Sequence, residues 1–483
     1  MERHDTLYTS SRRRFLRGAA AATAGTLLAG SSGLLSEIVL GQNPPSCPAA
    51  LTGGTSFVPG SDTRPLVMRL PISALPTSQL AQLQAAFTAL RALPSSDART
   101  WVLQADIHSL FCDQCSGVNM QIHDSWNFFP WHRAYLYYYE RILGSLVGDM
   151  DHFRLPYWNW ETNRSMPSSY LMPATSGNSL YDANRDSGIA GGGPLPATDG
   201  TASRITTLLS ITDFATFGGA AASGGACEVD PHNIIHTDVG PNTPSGDDMG
   251  NLGYAARDPI FFGHHCNIDK IWSKWNSLGG GGTAYKNPTD SAFLTARWSF
   301  YDENSNVVSI SAADVLDHKD NLRYIYQGPT RKLPFPLYEI LACEVVCCLP
   351  GPDPGPFLKV SQQVSEQVLT QSRAGRSVLL VLNRAEIPTG VVGTFDVISV
   401  RGERRTRIGA LSVVANTMAD KSHKPVTLVL DISKAAQDLL ATEKPASIVL
   451  SARNAALSKT KPFVLKAASA QIRLERSTQK GPA

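Results

Sequence analysis

Asp258-Pro-Ile-Phe-Phe-Gly-His-His-Cys-Asn-Ile-Asp269 opens a stretch rich in Ile, Phe and Trp that continues to Leu278. Two adjacent histidines, His264 and His265, sit among bulky apolar side chains, with Asp269 one turn beyond His265. The pattern predicts a helical segment from Asp258 to Leu278. One histidine on an apolar face is ordinarily a packed core residue. Here seven of the eleven histidines fall in helical or loop-to-helix segments: His108, His123, His132, His232, His236, His264 and His265. His4, His152, His318 and His423 are scattered. The grouping points to a metal centre.

Spacing narrows the chemistry. His232 and His236 are four apart and face one side of a helix. That pair also serves zinc, but the zinc-protease pattern H-E-x-x-H is absent because Asn233 follows His232. His123 and His132 are nine apart, and His132 begins a helix. Four helices bringing two sets of three imidazoles to the centre of a bundle would form two three-coordinate nitrogen sites. Imidazole suits copper. A pair of such ions with open faces binds dioxygen, while the protein fixes their separation, dryness and access.

Outward from the centre, residues 78–94 carry apolar positions at helical spacing, with Thr77 as N-cap candidate, and 98–112 continue helically. Phe129-Pro130-Trp131-His132 leads into a long helix ending near Val147, with Pro130 suited to a first turn. A third helical stretch runs from Glu228 or Asp230 towards His236. Segments 186–203 and 238–253 read as loops. Leu349-Pro-Gly-Pro-Asp-Pro-Gly-Pro356 is a stiff linker. Beyond it, 357–475 alternate in short Val/Ile/Leu runs that suggest a small β-sandwich. The expected fold is therefore a mainly α domain (42–348, a four-helix bundle holding the binuclear copper site, with long loops), the linker 349–356, a C-terminal β-sandwich domain (357–475) and a polar tail (476–483).

Ser11-Arg12-Arg13-Arg14-Phe15-Leu16-Arg17 followed by the uncharged run Gly18–Ser36 reads as a twin-arginine signal over residues 1–41. It predicts export of a folded protein to the periplasm or beyond, where cysteines can pair. These residues hold five of the 43 basic and three of the 41 acidic side chains, so the mature chain is neutral. Charge balance gives no reason to expect nucleic acid as a partner, and no membrane association follows signal removal. Hydrophobic residues at 42% and charged residues at 17% fit a globular core rather than disorder.

The histidine-bearing stretches resemble the tyrosinases and polyphenol oxidases of the type-3 copper proteins, with plant-like features and a C-terminal shielding domain. Asp258–Asp269 matches the family signature D-P-x-F-x-x-x-H-x-x-x-D, whose ligand falls on His265 rather than His264. NMQIHDSWNFFPWHRAYLYYYERILG (Asn119–Gly144), Leu155-Pro-Tyr-Trp-Asn-Trp-Glu161 and Tyr324-Ile-Tyr326 also match. The likeness is strong over 65–345 and weaker beyond, chiefly through Thr394-Phe-Asp-Val397. It implies two copper ions, one on His108, His123 and His132, the other on His232, His236 and His265. It also implies oxidation of o-diphenols to quinones by dioxygen and ortho-hydroxylation of monophenols, with phenolic small molecules and dioxygen as partners.

The resemblance implies further roles. Cys112 would form a thioether to His123; a Cys112–Cys115 disulfide is the alternative. Glu228 would hold a water that Asn233 orients, together deprotonating an incoming phenol, whose pKa is near 10. Leu252 stands where plant relatives place a gate phenylalanine, and Thr237 and His264 would line the substrate entrance. Cys47 would pair with Cys115. Cys343, Cys347 and Cys348 read as disulfide partners, or as a copper-loading thiol cluster. The β-domain would shield a latent proenzyme, opened by an activating protease, with Phe463 as plug and Met418 as the alternative. A catechol oxidase without the monophenol step and a copper oxygen carrier are the competing readings.

Overall fold

The computed structural model describes residues 48–112, 122–171, 177–240, 248–279, 283–326, 338–347, 358–360, 378–385, 393–401, 403–413, 425–432, 446–452 and 466–475. Residues 1–41, read above as a signal, the linker 349–356, the tail 476–483, Cys47, Cys115, Cys348, Met418 and Phe463 lie outside the described residues. No described helix is long and apolar enough to cross a membrane.

The helical half is built on α1 (Thr77–Arg91), α2 (Trp101–Leu110), α3 (Phe128–Leu146), α4 (Ala202–Leu209), α5 (Asn233–Val239) and α6 (Ile260–Ser277). Leu83, Ala86, Phe87 and Leu90 of α1 are buried at helical spacing, and the helix stops ahead of Pro94. Thr77, expected to cap α1, is instead its first helical residue; Pro76 holds the cap position without a side-chain hydrogen bond. Nearly every residue of α3 is buried, as befits a helix enclosed on all sides. The expected third helix differs from a straight one. Glu228–His232 is a wide π-type turn containing Pro231, with Asp230 outside helical geometry, and α5 continues from it. Proline removes an amide donor and crowds the preceding turn, which accounts for the kink. The 186–203 segment is not all loop, since it contains the short helix Ser187–Ala190 and the start of α4.

Buried ion pairs lock α3 to α6. Arg133 of α3 meets Asp269 of α6 at 2.6 Å, and Arg69 meets Glu140 at 2.9 Å and Asp269 at 3.5 Å. Tyr324 and Tyr326 donate to the same Asp269 oxygen at 2.6 and 2.7 Å. Arg69 belongs to β1 (Val67–Arg69), which pairs in parallel with β2 (Tyr324–Tyr326). Both ends of the helical half are thus tied to the helix pair at its centre.

The C-terminal half holds two four-stranded sheets. Its strands are β3 (Tyr338–Cys347), β4 (Leu358–Val360), β5 (Val378–Ala385), β6 (Gly393–Arg401), β7 (Arg404–Val413), β8 (Val426–Asp431), β9 (Ala446–Ala452) and β10 (Lys466–Glu475). One sheet has the order β7-β6-β9-β4, the other β8-β5-β10-β3. A Cβ on Gly409 of β7 would meet the Leu430 side chain of β8 at 2.5 Å, so the sheets face each other closely there. Residues 338–347, expected to close the helical domain, form β3 on the edge of this sandwich, antiparallel to β10 from Tyr338↔Glu475 to Cys347↔Lys466. An apolar run without helical periodicity satisfies its backbone in a ladder, and the sandwich provides one.

Pro45–Ala483 forms one compact unit. The β-domain docks on the helical half through Gly224, which donates to Pro425 O at 3.0 Å and accepts from Thr427 N at 3.2 Å. Arg407 pairs with Asp199 at 2.9 Å, and Arg204 donates to Val429 O at 3.2 Å.

Candidate metal centre

The helices deliver histidines from four places. His108 lies on the last turn of α2, His132 near the start of α3, His232 and His236 on either side of the π-turn junction, and His265 on the first turns of α6. His123 comes from the segment before α3. All six are buried. They fall into two triangles. Ring centroids of His108, His123 and His132 are 5.2 to 5.4 Å apart. Those of His232, His236 and His265 are 4.5 to 5.5 Å apart. The triangles face each other, with His132 and His265 stacked at 4.3 Å and His123 and His232 at 5.8 Å.

Hydrogen bonds fix which nitrogen looks inward. A carbonyl oxygen only accepts, so a ring nitrogen bonded to one must carry the hydrogen. His108 Nδ1 donates to Leu252 O at 3.0 Å, His132 Nδ1 to Phe128 O at 2.7 Å, and His236 Nδ1 to Met249 O at 2.9 Å. His232 Nδ1 lies 2.9 Å from Asn233 Oδ1. Burial, reinforced by neighbouring imidazoles, holds His108, His123, His232 and His265 well below the ordinary histidine range. It takes His132 to about 3 and His236 to about 4. The rings are therefore neutral at pH 7, and each Nε2 named here carries a bare lone pair.

Two of these lone pairs face each other: His108 Nε2 and His132 Nε2 are 3.3 Å apart. Neither holds a hydrogen, so the contact is no hydrogen bond. His236 Nε2 and His265 Nε2 are also 3.3 Å apart. His232 Nε2 and His265 Nδ1 have no hydrogen-bond partner among the described residues. Buried, neutral, inward-facing imidazole nitrogens in two sets of three are a donor set for two cations, and the fit is to metals that take nitrogen.

His264 tests the distinction between ligand and neighbour. Its ring is 4.9 to 5.3 Å from His232, His236 and His265, so distance alone does not set it apart. Its tautomer does. Trp160 Nε1 donates to His264 Nδ1 at 3.1 Å, and burial keeps the ring neutral, so Nε2 carries the hydrogen and is a donor. His264 packs at 5.3 Å against His232 with an interplanar angle of 25°.

Other predicted site residues are placed as follows. Cys112 is buried, its sulfur 2.8 Å from His108 O. That sulfur and one nitrogen each of His108 and His123 lie within 4.8 Å of one another. Glu228 is buried and accepts from Asp124 N at 2.8 Å. Asn233 serves His232 and donates Nδ2 to Ser412 O of β7 at 3.4 Å. Thr237, expected at an entrance, is buried under the β-domain. Its hydroxyl lies 3.0 Å from Thr394 Oγ1 and 3.1 Å from Ser412 Oγ, and those two are 2.8 Å apart. Leu252, expected as a gate, is half-buried and contributes its backbone carbonyl to His108. Trp160, Met249 and Phe128 were missed from sequence. Carbonyl acceptors leave no trace in residue identity, and Trp160 carried no signal beyond its place in a matched motif.

The chain matches the family model for the common central domain of tyrosinase over residues 98–208 and 182–278, and that for the polyphenol oxidase middle domain over 287–335. It is 35% identical over 325 residues to a latent-form chloroplastic polyphenol oxidase of Prunus armeniaca, a match covering 59% of this chain and 52% of that one. The chain spans about half the length of the curated relatives it matches. Its fold is similar to latent apple tyrosinase, with a TM-score of 0.61 at 25% identity over 87% of this chain and all of that one. Against the Grenache (Vitis vinifera) polyphenol oxidase the TM-score is 0.53 at 32% identity, covering 63% of this chain and 97% of that one. The cofactor of this fold is a pair of copper ions, which the two buried histidine clusters suit. The chain belongs to the tyrosinase and polyphenol oxidase family.

Proposed function

We propose that this chain is a copper-dependent phenol oxidase made in latent form, with one copper on His108, His123 and His132 and the other on His232, His236 and His265. What carries the reading is the pair of bare lone pairs on His108 and His132 facing each other at 3.3 Å, with both δ hydrogens directed away. The copper pair supplies the electron transfer between dioxygen and the phenol. The protein's own groups handle protons and access. Glu228 receives the phenol proton through a water, which matters because a phenol with a pKa near 10 is otherwise protonated at neutral pH. Asn233 holds that water once its amide is released. His264 would offer its Nε2 hydrogen to a substrate oxygen beside His232.

One observation favours a catechol oxidase as second reading. Both ends of the Asn233 amide are already engaged, by His232 and by Ser412 O. A diphenol oxidase needs no water-held base of this kind. Oxidation of tyrosine-like and catechol-like substrates by copper-loaded protein, with and without residues 357–483, separates the two. Monophenol turnover that appears only after removal of the β-domain supports the first; catechol turnover alone supports the second. Asn233→Leu should depress monophenol hydroxylation more than diphenol oxidation, and equal losses would sink the water-holding role.

The remaining roles extend the same reading. The docked β-domain shields the centre, so cleavage near 350–357 by an activating protease should raise turnover. Unchanged turnover after clean cleavage rejects latency. Cys112 closes onto His123 as a thioether; the thiol hydrogen and one ring hydrogen leave with two electrons, which dioxygen, the oxidant of the proposed activity, takes up. A reduced digest in which the two peptides remain joined tests it. Export follows the twin-arginine route, and replacing Arg12 and Arg13 by lysine should hold the protein inside the cell.

A further inference from the structure

Two of the hydrogen bonds that orient the histidines come from one short stretch of backbone. Met249 O accepts from His236 Nδ1 at 2.9 Å, and Leu252 O accepts from His108 Nδ1 at 3.0 Å. These histidines belong to different triangles, and the two acceptors are three residues apart. By contrast, Phe128 O serves His132 from the same helix, and Asn233 serves only His232, its neighbour.

The stretch is held in a defined shape. Asp248–Gly250 makes a tight helical turn, Asn251 N donates to Asp248 O at 2.9 Å, and Gly253 N donates to Asn251 Oδ1 at 3.0 Å. It is pressed against the end of α5: a Cβ on Gly240 would stand 2.0 Å from Gly250 N. Only a glycine admits that approach. Asp248 starts the stretch at φ 42°, a left-handed conformation that a non-glycine residue keeps only when its surroundings hold it there. Its Oδ2 accepts from Asn184 Nδ2 at 2.9 Å, and its carboxyl also hydrogen-bonds Asp182. The loop supplying these partners is itself fastened to both metal-bearing helices of the second triangle. Asp186 N donates to Val239 O at 2.9 Å, and Arg185 pairs with Asp258 ahead of α6 at 2.6 Å.

We propose that Asp248–Leu252 is a backbone clasp that orients one histidine of each copper triangle at once, and that Asp248 is the positioning residue that anchors it to Asn184. The inference rests on the copper centre proposed above. An imidazole that donates its δ hydrogen to a fixed carbonyl has both its tautomer and its ring rotation set, and loss of such an outer partner weakens metal binding. Because the clasp serves both triangles, loosening it weakens both coppers together.

The test uses the full chain loaded with copper and challenged with a copper chelator. Copper per chain and the electron paramagnetic resonance of isolated copper(II) are followed together. Wild-type protein should retain two coppers. Asp248→Ala and Asn184→Ala should each retain copper roughly 10- to 100-fold less tightly, with both ions leaving together and no signal from singly loaded chains. Asp248→Asn keeps an acceptor for Asn184 and should restore retention. Asn233→Ala, which among the histidines touches His232 alone, should accumulate the single-copper signal. Wild-type retention in both alanine variants overturns the clasp, as does loss of one copper only, or failure of Asp248→Asn to rescue. Wild-type protein that takes up no copper overturns the metal centre itself, and the clasp with it. Should Asp248→Ala not fold, Asn184→Ala carries the same test from the other side of the contact.

Discussion

The two histidine triangles have similar dimensions but different supports. The first is held from within the helical half: His108 and His132 direct their δ hydrogens to backbone carbonyls of Leu252 and Phe128. The second is reached by a side chain with a foot in each half. Asn233 holds His232 and also donates to Ser412 of the β-domain, while Thr237 one residue after His236 shares a hydroxyl triangle with Thr394 and Ser412. The side-chain contacts of the β-domain reach residues beside the second triangle. The centre is thus asymmetric in its supports, though nearly symmetric in its donors.

The harshest way to break the comparison is to remove a donor from each side. His108→Ala and His265→Ala should each drop copper from two per chain towards one and take diphenol oxidation to background. Retention of two coppers by either variant would remove that residue from the ligand set. Next comes the shared buttress. Arg69→Met leaves Glu140 and Asp269 buried with a cation missing, which should cost ~3–5 kcal/mol of stability in denaturant unfolding. Because α3 and α6 carry one histidine from each triangle, both should suffer alike. A loss under ~1 kcal/mol would show the network to be incidental.

Acid acts on both triangles, because burial holds all six histidines below the ordinary range. In metal-free protein His132 is held at about 3 and His236 at about 4, both below the ordinary 6.5. A lowered folded value means that the unfolded chain takes the proton first. The stability is present above pH 6.5 and is lost as pH falls, by about 1.4 kcal/mol per histidine for each unit. Loss through His236 ends near pH 4, while that through His132 continues towards 3. Melting temperatures of the metal-free protein between pH 7 and 4 check the trend, and a flat profile contradicts it. The mildest change is Thr237→Val. Losing one hydroxyl from the interface should weaken β-domain docking by ~1 kcal/mol. Basal turnover of the full chain should then rise a few-fold, with no change in a form lacking 357–483. A rise in both forms would place the effect in the centre rather than at the interface.

Much of this is legible in the sequence alone. Hydrophobic periodicity around Phe87, Trp131 and Phe261 marked the helices, because a buried face repeats with the helical turn. The four-residue spacing of His232 and His236 survived a proline kink that sequence did not locate in detail, since the π-turn still leaves their rings 4.5 Å apart. The alternating runs after residue 357 marked the sandwich. Residues 338–347 were assigned to the wrong half because an apolar run does not say which ladder will accept it.

By itself, then, the sequence determined the supply of donors: six imidazoles on helical or loop-to-helix segments, the acid and amide beside His232, and a β-rich half beyond a proline-rich stretch. The tertiary structure decided how those donors are aimed. Which nitrogen of His264 carries the hydrogen depends on Trp160, 104 residues away. Whether His108 is oriented at all depends on a carbonyl 144 residues away, at Leu252. Every residue carries a carbonyl, so no residue type announces the one that matters; only packing brings it within 3 Å of the ring it holds.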